Sequence, residues 1–174
     1  MANSAFCEGK RYFLKNFKPS NPPLRFAFTR QMLLGEYTHN LDQKGRMAIP
    51  AKFRETLAGG AIITRGLDAC LFIFANTEWE KLVMKINALP LAQANSRAFT
   101  RLMLAGAMDV EIDKQGRILV PDYLRKFAGL SKEVVVAGLY TRVEIWDKNR
   151  WAEYKRKTES ASEEIAEKLG ELGI

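Results

Sequence analysis

Two five-residue stretches carry the residue types best suited to chemistry: Asp42-Gln43-Lys44-Gly45-Arg46 and Asp113-Lys114-Gln115-Gly116-Arg117. Aspartate opens turns well, because its carboxylate bonds backbone N–H groups two residues on. Gly45 and Gly116 supply the positive φ of a tight hairpin. Arg46 and Arg117 then begin the return strands. An arginine there has two uses. It can pair with the aspartate and simply close the turn. It can also present a planar fork of donors that matches guanine N7 and O6, or two phosphate oxygens. Packing alone gives no reason to keep an arginine in both turns. The matched pair, each with a lysine inside its turn (Lys44, Lys114), therefore favours the presented fork. Lys52 and Arg54 add positive charge beside the first turn.

Other reactive chemistry is sparse. No nucleophile–base pair or metal-ligand cluster stands out, so an enzyme is not expected. His39 is the single histidine, and Cys7 and Cys70 form no close-spaced ligand pattern, so neither a metal nor a cofactor is expected. Cys70 opens the apolar run Cys70–Phe74 and reads as a buried thiol in a strand. Trp79 and Trp151 could stack on bases, but early positions in helices suit core packing better. The net charge is +7, and residues 1–31 hold +5 of it, leaving about +2 for the remainder. That balance argues against a broad, non-specific nucleic-acid footprint and for few, well-placed contacts. No stretch approaches the roughly 20 apolar residues of a membrane span, and a cytoplasmic protein is expected.

These residues sit in an internal repeat. Gly35, Asp42, Gly45, Arg46, Pro50 and Arg54 recur 71 residues later as Gly106, Asp113, Gly116, Arg117, Pro121 and Arg125. Gly66, Leu67, Ile73 and Trp79 recur 72 residues later as Gly138, Leu139, Ile145 and Trp151, so one residue is gained near 129–132. Each copy predicts a hairpin (35–41 with 46–49), then a helix starting at Pro50 or Pro121 in its first turn. Phe53 and Leu57 give that helix one apolar face. Strands follow at 61–64 and 70–74, and at 133–137 and 142–146. Thr77 and Glu80 have capping-box spacing for the next helix, running to about Leu89, and Asp147 can cap the last one. The fold class is α+β: a basic extension at 1–31, one repeat at 32–90, a connecting helix at 91–105 and a second repeat at 106–174.

The run Leu34–Pro50 and its second copy resemble the MraZ family, within the AbrB/SpoVT/MazE-like swapped-hairpin group. The resemblance covers about residues 32–168. It implies a swapped-hairpin barrel, a pseudo-dimer within one chain, and a sequence-specific DNA-binding regulator, expected to be a repressor. It also implies nucleoid association, control of the division and cell-wall gene cluster including the protein's own promoter, ring-shaped homo-oligomers, and short direct repeats in double-stranded DNA as the target. An AbrB-type antitoxin and a non-specific nucleic-acid binder are the alternatives. Family chains begin at about Met32, so residues 1–31 read as an upstream extension, arising from a misassigned start or an appended sequence, or as a basic arm gripping phosphates.

Overall fold

The computed structural model describes residues 32–170. The basic extension and Cys7 lie outside the described residues. The first repeat holds β1 (Leu33–Asn40), β2 (Arg46–Ala48), α1 (Ala51–Leu57), β3 (Ala61–Arg65), β4 (Leu71–Ala75) and α2 (Asn76–Asn87). After α3 (Ala94–Leu104) the second holds β5 (Met108–Val110), β6 (Arg117–Leu119), α4 (Asp122–Ala128), β7 (Glu133–Tyr140), β8 (Val143–Asp147), α5 (Lys148–Ser160) and α6 (Ser162–Gly170).

The strands do not pair as two independent hairpins. Only the Leu41–Met47 bridge continues the first turn. Beyond it the strands part and find partners in the other repeat. β1 runs antiparallel to β7 over its full length, from Leu33 opposite Tyr140 to Asn40 opposite Glu133. β5 pairs with β3, and β2 with β6. The reason lies in length. An eight-residue strand folded back on a three-residue strand would leave most of its backbone groups without partners, whereas β7 matches all eight. The result is a mixed α/β fold with an antiparallel sheet in the order β1-β7-β8-β4-β3-β5 and a separate ribbon β2-β6. Among the described residues the sheets are not closed into a barrel: β1 and β5 are the two edges.

The pairing is nearly symmetric under exchange of the repeats. Met47 faces its own counterpart Ile118 in the ribbon, and Phe72 faces its counterpart Glu144 in the β4–β8 ladder. Side chains alternate across the sheet with period two. Ile63, Leu71, Ile73, Val134, Val136 and Ile145 form one cluster with Met47, Ile49 and Ile118 of the ribbon segment and Phe53 and Leu124 of α1 and α4. Phe72, Phe74, Val135 and Trp146 form the other, with Ile86 of α2 and Met103 of α3. Burial on both faces explains why β4 reads as a continuous apolar run rather than an alternating one.

Several local details differ from expectation. Pro50 and Pro121 are N-caps with extended ψ of 133° and 145°, one position before the first helical turn. The Thr77–Glu80 capping box does not form: the N-cap is Ala75, with no side-chain cap. The backbone N–H of Asn76 donates to Gly60 O at 3.2 Å, which fixes the helix start upstream of Thr77. Asp147, the counterpart of Ala75, does cap its helix, accepting from the N–H groups of Asn149 and Arg150. Cys70 is buried but precedes β4, its thiol donating to Leu67 O at 3.0 Å. Burial drives that thiol's pKa strongly upward, and the Glu144 carboxylate adds to the effect. Trp79 packs on Phe74 at 5.9 Å, and Trp151 lies 5.3 Å from Trp146. Both tryptophans pack against the second cluster.

Candidate nucleic-acid interface

The two turns are built alike. In the first, Asp42 Oδ1 accepts from the backbone N–H groups of Lys44 and Arg46, each at 2.9 Å. Gly45 N donates to Asp42 O at 2.9 Å, and Gly45 takes φ +77°. Asp113 Oδ1 likewise accepts from Gln115 N and Arg117 N, both at 2.9 Å, and Gly116 also takes φ +77°. The arginines then close back on the aspartates. Arg46 Nε donates to Asp42 Oδ2 at 2.7 Å. Arg117 donates to Asp113 Oδ2 through Nε at 3.0 Å and Nη2 at 2.8 Å. The Arg46 N–H, then its side chain, holds the Asp42 carboxyl below the usual carboxylate range. For Asp113 the Arg117 side chain is the larger cause and its N–H the second.

The clasp is therefore real in both turns, and it leaves donors over. Among the described residues Arg46 donates only through Nε, which leaves both terminal amino groups of its guanidinium available. Arg117 uses two of its three nitrogens. The Arg46 side chain is 35% exposed and that of Arg117 27%. The ribbon places them together. Arg46 stands opposite Leu119, and Ala48 opposite Arg117. With a side-chain period of two, all four project from one face, while Met47 and Ile118 turn inward to 0% and 2% exposure. The arginines are diagonal neighbours across the ribbon, roughly 7–8 Å apart at the backbone. Lys44 and Lys114 are exposed in the turns at the ribbon's two ends, in the third and second turn positions respectively.

Lys52 is exposed on the first turn of α1. Arg54 has a different place. Its Nε donates to Ile49 O at 2.8 Å, and its guanidinium lies against Gly116 in the other repeat's turn. Arg125 repeats the arrangement, with Nε on Val120 O at 3.1 Å and its guanidinium against Gly45. The backbone adds a parallel link, since Ile49 N donates to Gly116 O and Val120 N to Gly45 O, each at 2.9 Å. Arg54 is thus half-buried between repeats rather than spread beside its own turn. Arg125 is the site residue that charge clustering around the first turn did not single out. Its recurrence as the partner of Arg54 was the available signal. His39 is half-buried in β1, and burial followed by the Arg54 charge holds its pKa below the ordinary value.

Among the described residues no group of three His, Cys, Asp or Glu side chains could hold a metal ion. Also among them, no helix is long and apolar enough to cross a membrane. The model of the family described as "MraZ protein, putative antitoxin-like" matches twice, over residues 32–102 and 103–171. The chain is 50% identical over 143 residues to the "Transcriptional regulator MraZ" of Caldanaerobacter subterraneus subsp. tengcongensis, covering 82% of this chain and 100% of that protein. The proteins of the same name from Thermoanaerobacter sp. (strain X514) and Acetivibrio thermocellus are 52% and 50% identical over the same shares. With both repeats matched and the full length of these relatives spanned, the chain belongs to the MraZ family of transcriptional regulators and is not an enzyme.

Proposed function

We propose that this chain is a sequence-specific regulator that binds double-stranded DNA through the outer face of the β2–β6 ribbon. One observation carries the reading: Arg46 and Arg117, the two turn arginines, stand on the same solvent face of a two-stranded ribbon. The major groove admits such a ribbon, and an arginine fork suits guanine. Lys44, Lys114 and Lys52, as compact charges on flexible stems, suit phosphates. Arg54 supports the second turn from behind. The crossed strand pairing is what a swapped-hairpin unit requires, with the two repeats acting as a pseudo-dimer.

Membership of the family supports a wider role. The target is a set of short direct repeats in the promoter of the division and cell-wall gene cluster, which includes the chain's own gene. The action is repression, in the cytoplasm at the nucleoid. Homo-oligomers, closing as rings, engage several repeats at once. Among the described residues β1 and β5 each leave one edge unpaired, and these edges, with the exposed pair Leu34 and Leu139 opposite one another in β1 and β7, supply a surface for self-association. The antitoxin reading is weaker, because the C-terminal segment forms helices α5 and α6 rather than a tail free to wrap a toxin. Footprinting on the DNA upstream of the chain's own gene tests the proposal. Protection of regularly spaced short repeats supports it, and uniform protection at all sequences points to a non-specific binder.

A further inference from the structure

Two clefts lie at pseudo-equivalent places in the two repeats, each between a helix-to-strand loop and the segment that leads into or opens a turn, and they differ in charge. The first, about 550 Å³, lies between the turn at Asp42 and the loop joining α4 to β7. Leu41, Asp42 and Gln43 form one wall, and Arg125, Leu130 and Lys132 belong to the other. The second, about 500 Å³, lies between Glu111 and Ile112 on one side and Arg54, Gly59 and Gly60 on the other. Arg54 and Arg125 correspond. Lys132 has Gly60 as its counterpart, because the second repeat's loop (129–132) is one residue longer than the first's (58–60). The second cleft thus loses a cation and carries the Glu111 carboxylate.

The first cleft is the more cationic of the two. Its one carboxylate, Asp42, is already engaged by two backbone N–H groups and the Arg46 guanidinium. Arg125 is oriented by its Nε bond to Val120 O, and its Nη2 makes a longer contact of 3.3 Å to the exposed Asp122. Lys132 is exposed at the rim. Its backbone is fixed from two sides. Leu41 N donates to Lys132 O at 2.9 Å, and the neighbouring Ser131 donates through N and Oγ to Asp147 at 3.1 and 2.6 Å. The helix-capping aspartate therefore also sets where Lys132 stands.

We propose that this cleft takes a backbone phosphodiester of duplex DNA, with Lys132 and Arg125 as its cationic walls. The inference rests on the DNA-binding reading above and deepens it. The cleft adjoins the turn that carries Lys44 and Arg46, so a phosphate held there fixes the register of the groove that Arg46 enters. The second turn has no matching clamp. The two repeats accordingly grip DNA unequally, although their turns share one motif.

The test is the salt dependence of binding of the full chain to a scrambled duplex, where only phosphate contacts count. Lys132→Ala should make the slope of log K against log salt shallower by about one, and Lys132→Arg should restore it. Lys81→Ala removes the same charge from α2, which packs on the opposite face of the sheet, and should leave the slope at its wild-type value. Glu111→Lys should steepen it. A Lys132→Ala slope equal to wild type overturns the cleft while leaving DNA binding intact. Equal changes from Lys132→Ala and Lys81→Ala overturn it as a net-charge effect. Inorganic phosphate replacing chloride at constant ionic strength should not compete; strong competition would mark a small-anion site instead. A chain that binds no duplex at any salt overturns the DNA-binding reading, and the cleft with it.

Discussion

The guanidinium of Arg54, carried on the first repeat's helix, occupies the space that a β-carbon of Gly116 would fill in the second repeat's turn, with Nε 2.5 Å from that point. Arg125 stands in the same relation to Gly45, at 2.8 Å. Each glycine is thus fixed twice, by its φ of +77° and by an arginine from the other repeat. The two turns are held by their neighbours' helices, so neither is an independent module.

Gly116→Ala should lower stability by about 1–2 kcal/mol from the left-handed conformation alone, and by more because the Arg54 guanidinium must move. Arg54→Ala should remove only the second part. The double variant should therefore be less destabilised than the two single variants added together. Denaturant midpoints of the four proteins measure this, and strict additivity counts against the brace.

The two turn aspartates have pKa values below the ordinary range in the folded chain. The unfolded chain therefore takes up those protons first, and folding stability drops as pH falls. The contribution is whole above the ordinary aspartate value of about 3.9 and is lost progressively below it. An Asp42→Asn/Asp113→Asn chain should be less stable than wild type at pH 7, and the gap should close as the pH is taken below about 4. Melting curves across that range decide the matter. A gap that stays constant to low pH would show that the charges contribute nothing.

Much of this was legible in the sequence, and the misses share a cause. The doubled Asp-x-x-Gly-Arg motif fixed the turns, because aspartate acceptors and positive-φ glycines act over four residues. Asp147 as a cap and the inserted residue near 129–132 were equally local. The pairing of β1 with β7, and the reach of Arg54 to Gly116, depend on contacts across more than sixty residues. No period in either repeat encodes a choice between pairing at home and pairing across. The capping-box spacing at Thr77 misled for the same reason, since Gly60 had already fixed the helix start from outside the motif. Lys44, Lys52 and Arg54 read as one cluster around the first turn in the sequence. In the fold they divide into two that face outward (Lys44, Lys52) and one turned between repeats (Arg54).

Lys44 and Arg46 should separate in their effects on binding. Lys44→Ala should weaken operator and scrambled duplexes alike and flatten the salt slope by about one. Filter binding across a salt series measures it. A loss confined to the operator would mean that Lys44 reads bases.

Self-association should depend on the β1–β7 surface. Leu34 and Leu139 are each 40% exposed and directly opposed. Sedimentation of the full chain at micromolar concentration should show an oligomer, and Leu34→Lys should shift it toward monomer without lowering the melting temperature of the isolated fold. A wild-type monomer would remove the ring.

If the ribbon's outer face reads sequence, Arg46 is the residue whose loss shows it most plainly, because its clasp to Asp42 spends only Nε. The measurement is the ratio of operator to scrambled-duplex affinity for wild type and Arg46→Ala, with a circular dichroism melt of each protein to correct for folded fraction. Arg46→Ala should lose about 1–3 kcal/mol of operator preference per site, with scrambled-duplex binding changed far less, and Arg117→Ala should lose less. If Arg46→Ala keeps its operator preference once the folded fraction is accounted for, Arg46 only closes its turn and the ribbon does not read DNA.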